Sequence, residues 1–175
     1  SQAIYLRKGT GKYTITVSES ASPEKMSTYT QIKILNAENL DQRDTSFLLP
    51  SSYVESDDSK IISTAQLITD GATDEVEVVK RIHDFVISNI EYDYDSFYSG
   101  QYRRNPFDAV TVLENKKAVC SGYANLFAAL LRAAGLRAKV ISGKALVDGT
   151  YYDHAWNEVY VNGDWKIVDT TWDAA

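Results

Sequence analysis

Apolar and polar positions change their spacing several times along this chain. Between Lys12 and Ser18 they alternate, with Tyr13, Ile15 and Val17 on one side and Thr14 and Thr16 on the other, which predicts a half-buried strand. Ser22-Pro23-Glu24-Lys25 then has the form of a helix start: a cap residue, a proline at the first helical position and an acid in the first turn. Met26, Tyr29, Ile32, Ile34 and Leu35 extend that helix at roughly helical spacing, against the strand propensity of Thr28, Tyr29, Thr30 and Ile32. Residues 39–60 read as connection. Ile61, Ile62, Ala65, Leu67 and Ile68 predict a short helix closed by Asp70-Gly71. Thr73-Asp74-Glu75 opens another helix, whose buried stripe is Val76, Val79, Ile82, Val86 and Ile90, with His83 beside it as a half-buried helix residue.

Residues 91–104 carry Tyr92, Tyr94, Phe97, Tyr98 and Tyr102 among acids and glycine, and predict a long aromatic loop suited to lining a cleft. Asp93 and Asp95 lack the spacing and closing glutamate of a calcium loop, so no metal site is expected. Asn105-Pro106 caps a short helix through Leu113, and 114–118 is a polar link. Tyr123, Leu126, Phe127, Leu130, Leu131 and Ala134 then recur at three- and four-residue steps until Gly135, predicting a buried helix that begins at Cys120. A strand over 137–147 follows. Asp148-Gly149 and Asn162-Gly163 are tight-turn signals that join it to strands over 150–161 and 165–170, an antiparallel meander. Helices first, then a buried helix, then an antiparallel sheet make an α+β domain.

With 175 residues, one domain is expected, preceded by an extension over residues 1–50 that packs on or precedes a core over 51–175. A net charge of −6 argues against nucleic acid or an anionic membrane as main partner, and no apolar run is long enough to span a bilayer. The chain starts at Ser1 rather than Met, so its silence on targeting carries little weight. One cysteine forms no internal disulfide, and 12 tyrosines against a single Cys and a single Met lean towards an extracellular or cell-surface protein, with the cytoplasm left open.

The candidate chemistry centres on that cysteine. At a helix N-terminus, unpaired N–H groups and the positive end of the dipole favour thiolate over thiol. His154 and Asp169 follow in segments read as neighbouring strands, near enough to the Asn162-Gly163 turn to be diagonal neighbours. A thiol, an imidazole and a carboxylate in this order suit acyl transfer: the imidazole stabilises the thiolate and later protonates the leaving amine, and the carboxylate orients the ring.

Ala118-Val119-Cys120-Ser121-Gly122-Tyr123-Ala124, Asp153-His154-Ala155-Trp156-Asn157-Glu158-Val159 and Trp165-Lys166-Ile167-Val168-Asp169-Thr170-Thr171-Trp172-Asp173 together resemble the transglutaminase-like superfamily, in particular its bacterial and archaeal domains. Ile90-Glu91-Tyr92-Asp93-Tyr94 after a long helix fits as well, and the resemblance covers roughly residues 60–173. It implies a papain-like fold with Cys120 as nucleophile, His154 as general base and acid, and Asp169 as orienting carboxylate. It implies no cofactor, and a protein or peptide substrate bearing amide groups, with transamidation and hydrolysis both open. The oxyanion hole would draw on the Cys120 backbone N–H and on Tyr92 or Tyr94, with Ser121 and Trp156 lining the cleft. Family members often continue past the point where this chain ends, so the resemblance implies a piece of a longer secreted or surface protein. The family usually has glycine where Ala118 stands, and this departure together with the aromatic loop motivates a second reading: a non-catalytic protein- or peptide-binding module.

Overall fold

The computed structural model describes residues 4–6, 9–20, 29–43, 45–103 and 107–174. Packing divides the chain into two units, Ser1–Ser46 and Phe47–Ala175. In the first, β1 (Gly11–Ser20) pairs antiparallel with β2 (Tyr29–Asn39), with a register shift between Val17 and Ser18. The alternation read over Lys12–Ser18 is thus a strand. The helix expected to run through Tyr29, Ile32, Ile34 and Leu35 is instead β2, because pairing with β1 satisfies its backbone and suits the strand propensity of its β-branched residues. Its expected start at 22–25 lies outside the described residues.

The second unit is built around one helix. α1 (Ser59–Thr69) and α2 (Glu75–Asn89) begin where Asp58 and Asp74 accept from the backbone N–H groups of Lys60 and Glu77. Ile61, Ala65, Ile82 and Val86 are buried, whereas Val76, expected in the α2 stripe, lies in the first turn and is exposed. The aromatic segment is not a loop. It forms the short β3 (Glu91–Tyr92), α3 (Tyr94–Ser99), capped by Asp93 and closed by Gly100 in the left-handed conformation, and one 3-10 turn (Gln101–Arg103). α4 (Ala109–Asn115) is capped by Asp108; the Asn105-Pro106 cap lies outside the described residues. The link expected over 114–118 contains β4 (Lys117–Ala118), parallel to β3.

α5 (Cys120–Ala133) has every residue from Gly122 to Leu131 buried, so it is the core's centre rather than an amphipathic surface helix. α1, α2 and α4 pack on it, and the sheet β5 (Ala138–Val147), β6 (Thr150–Val161), β7 (Asp164–Val168) covers another side. Both pairings are antiparallel and turn at Asp148-Gly149 and Asn162-Gly163, with Asp148 and Asn162 themselves in the left-handed region. Burial alternates along β6: Ala155, Asn157, Val159 and Val161 are all buried. A four-residue helix, α6 (Thr170–Asp173), ends the described chain.

Two polar staples fix α5 to its surroundings. The buried Asn157 amide donates to the Ala124 carbonyl of α5 and the Lys139 carbonyl of β5, each at 2.9 Å. Arg132 donates from Nε and Nη2 to the Ala138 carbonyl and from Nη1 to the Leu49 carbonyl. Gly122 is required by packing: a Cβ there would stand 2.5 Å from the Ala118 Cβ and 2.7 Å from the Phe107 Cβ. Thus the methyl of Ala118, where the family usually has glycine, is absorbed in the core against Gly122.

Candidate active site

Cys120 is the first residue of α5. Val119, its N-cap, offers no side-chain acceptor, so the helix start has no side-chain cap, although the Gly122 N–H bonds the Val119 carbonyl. β6 brings His154 to this tip. The chain turns out of β7 immediately after Val168, so Asp169 is not the strand residue expected from the sequence but the N-cap of α6. The register explains why: Asn157 pairs with Val168, so His154 lies beyond the end of β7, where only a residue of the turn reaches it.

The carboxylate of Asp169 divides its two oxygens. Oδ1 accepts from the N–H groups of Thr171 and Trp172 at 3.2 and 3.3 Å, and Oδ2 meets His154 Nε2 at 2.6 Å. The Cys120 side chain is the other hydrogen-bonding partner of the His154 ring. The Asp169 hydrogen bond, then the Cys120 one, raise the His154 pKa from 6.5 to about 9, against an opposing effect of burial. Both partners thus favour the imidazolium form of a ring placed between the Asp169 side chain and the Cys120 sulfur.

Two indoles flank this imidazole. Trp172 stacks on it at 4.8 Å between centroids with planes 16° apart, and Trp156 lies at 6.1 Å and 24°. Trp156 reaches that position because Gly143 on β5 has no side chain; a Cβ there would come within 2.5 Å of the indole Cη2. Trp172 sits inside the third motif block, yet sequence reasoning gave it no role. The contact depends on α6, a single turn too short to announce itself by periodicity.

Cys120 and His154 open into a cleft of about 420 Å³ lined also by Phe97, Tyr102, Ser121 and Gly143. Lys144 and Asp153 pair across its rim at 2.6 Å. Of the candidates named from sequence, Cys120, His154, Asp169 and Ser121 come together here, and Trp156 contacts the histidine from outside the lining. Tyr92 packs against Tyr94, Phe97 and Tyr123, and its pKa is raised, first by burial and then by nearby Cys120. Tyr94 is exposed and stacks on Tyr98, away from the lining. Phe97 and Tyr102, stacked at 6.0 Å and 17°, form the cleft wall that the aromatic segment was expected to supply. Among the described residues, no group of three or more His, Cys, Asp or Glu side chains is placed to hold a metal ion. No helix among them is long and apolar enough to cross a membrane.

A cysteine on a buried helix packed against an antiparallel sheet that carries a histidine defines a papain-like arrangement. The chain belongs to the transglutaminase-like superfamily, whose family model matches residues 62–170. It is 33% identical over 109 residues to the kyphoscoliosis peptidase of Mus musculus, and 33% over 116 residues to that of Homo sapiens. Those matches take in 58% and 62% of this chain but only 16% and 17% of the relatives. Among solved structures, it resembles a candidate cysteine protease from Cytophaga hutchinsonii (TM-score 0.62, 30% identity, 71% of this chain and 40% of that one). It also shares its fold with the periplasmic domain of TgpA from Pseudomonas aeruginosa (TM-score 0.51, 22% identity, 73% and 48% of the two chains).

Proposed function

We propose that the 47–175 unit is a thiol acyl-transfer enzyme acting on amide bonds of a protein or peptide, with Cys120 as nucleophile, His154 as general acid and base, and Asp169 as orienting carboxylate. The observation that carries this reading is His154, held by Asp169 at 2.6 Å on one nitrogen and hydrogen-bonded to Cys120, at the floor of an open cleft. The Cys120 thiolate attacks the amide carbonyl, forming a C–S bond while the carbonyl π pair moves to oxygen. The Cys120 backbone N–H, with no side-chain cap at the helix tip, is the first oxyanion donor, and Tyr92, whose phenol feels Cys120, is the second rather than the exposed Tyr94. As the C–N bond breaks, the imidazolium gives its proton to the leaving amine. Water or a second amine then attacks the thioester, His154 takes the incoming proton, and the thiolate leaves.

The burial of the Ala118 methyl in the core, away from the cleft lining, supports catalysis over the binding-module reading. The tyrosine-rich, Cys- and Met-poor composition supports a site of action outside the cytoplasm. The test is incubation with glutamine- and peptide-bearing substrates and a labelled primary amine. Incorporated label means transamidation; released ammonia or peptide alone means hydrolysis. Turnover that persists in Cys120→Ala, or its absence on every substrate in the folded protein, overturns the reading.

A further inference from the structure

The chain has only two histidines, and the second, His83, reaches the candidate site indirectly. It lies on α2, with its side chain largely buried. Its Nε2 meets Asp173 Oδ2 of α6 at 2.9 Å, its Nδ1 faces Asp84 Oδ1 at 3.3 Å, and its ring packs edge-to-face with Phe127 of α5, centroids 6.4 Å apart. One imidazole therefore touches side chains from three helices. Asp84 meets Nδ1 with one oxygen and Lys80 with the other, which leaves Nε2 to Asp173 of α6.

α6 needs such a partner. A single helical turn does not hold its own shape, because the hydrogen bonds it gains do not offset the ordering of its backbone. It also ends in an acid, Asp173, at the end where the helix dipole is negative. Both of its functional contacts converge on His154: Asp169 at its start bonds Nε2, and Trp172 within it stacks on the ring. α2, by contrast, spans 15 residues, is capped by Asp74, and is anchored by the fully buried Ile82 on one side of His83 and Val86 on the other.

We propose that His83 is a positioning residue for the candidate site. By binding Asp173 it ties α6 to the rigid α2, and so holds Asp169 and Trp172 against His154. The proposal rests on the acyl-transfer reading only for its kinetic consequence; its structural consequence, the state of the His154 ring, is read separately.

The full chain, labelled with ¹⁵N, gives imidazole signals from two histidines alone, so the titration of His154 is followed directly by NMR. His83→Ala and Asp173→Ala are compared with wild type, and His83→Gln serves as rescue because its side-chain N–H₂ occupies the Nε2 position. In both alanine variants the His154 midpoint falls from about 9 towards 6.5 by at least half a pH unit, and His83→Gln restores it. On an amide substrate, kcat falls about tenfold with KM unchanged. Asp173 is exposed, so its variant keeps the test available if His83→Ala does not fold. A His154 midpoint equal to wild type in a folded alanine variant overturns the proposal, leaving the pair as a surface contact. A shifted midpoint without amide turnover supports the proposal and counts against the acyl-transfer reading instead.

Discussion

Replacing Asp169 by Asn tests whether the bond at the centre of the site is the charged pair its geometry indicates. Asn is as good a helix cap as Asp, so α6 keeps its start, and the substitution isolates the interaction with His154. The His154 pKa rises from 6.5 to about 9, with Asp169 the leading cause; at about 1.4 kcal/mol per pH unit, the rise corresponds to about 3 kcal/mol favouring the imidazolium in the folded state. Asp169 and Cys120 share this, so Asp169→Asn removes about 2 kcal/mol, in keeping with a charge-assisted hydrogen bond between two largely buried groups. The folded pKa lies above the unfolded one, so the stabilisation is fully present below pH 6.5 and is lost as pH rises through about 9. Urea unfolding of wild type and variant at pH 6, 7.5 and 9.5 gives the difference directly. It is about 2 kcal/mol at pH 6 and shrinks by pH 9.5 to the residue of neutral hydrogen bonding. A difference that stays constant with pH, or that grows on the alkaline side, refutes a carboxylate–imidazolium pair.

Four further outcomes follow from the same geometry. Iodoacetamide alkylates Cys120 faster in wild type than in His154→Ala at pH 6; equal rates in both proteins, followed by intact mass, would remove the imidazolium from the reading. Gly122→Ala, whose Cβ would stand 2.5 and 2.7 Å from core atoms, costs about 1–3 kcal/mol in urea unfolding, and a neutral effect would mean that helix α5 yields freely. Asn157→Leu strips the carbonyls of Ala124 and Lys139 of a buried donor and costs about 1–3 kcal/mol by the same assay. Gly143→Ala displaces the Trp156 indole beside His154, lowering kcat while changing global stability less than Gly122→Ala does; unaltered kinetics would show that Trp156 has no influence on the ring.

The sequence by itself determined the central helix, the meander and the three motif blocks. Each depends on local signals: apolar steps of three and four residues through Leu131, glycine-containing turns at 148–149 and 162–163, and strand propensity between them. It also singled out Cys120, His154 and Asp169 as candidates, since those side chains stand in recognisable blocks. The helix expected across Ile32 was misread because a short apolar run satisfies two periodicities at once, and pairing with β1 decides between them. The aromatic segment was read as loop because its helix is only six residues long. What tertiary structure alone decided is how the site is held. Asp169 acts as a helix cap rather than a strand residue because β7 stops at Val168. Trp172 covers the imidazole, and His83 binds Asp173 across 90 residues of chain. No local pattern encodes such contacts, since they arise only when α2, α5 and the sheet pack and bring residues distant in sequence within a few ångströms.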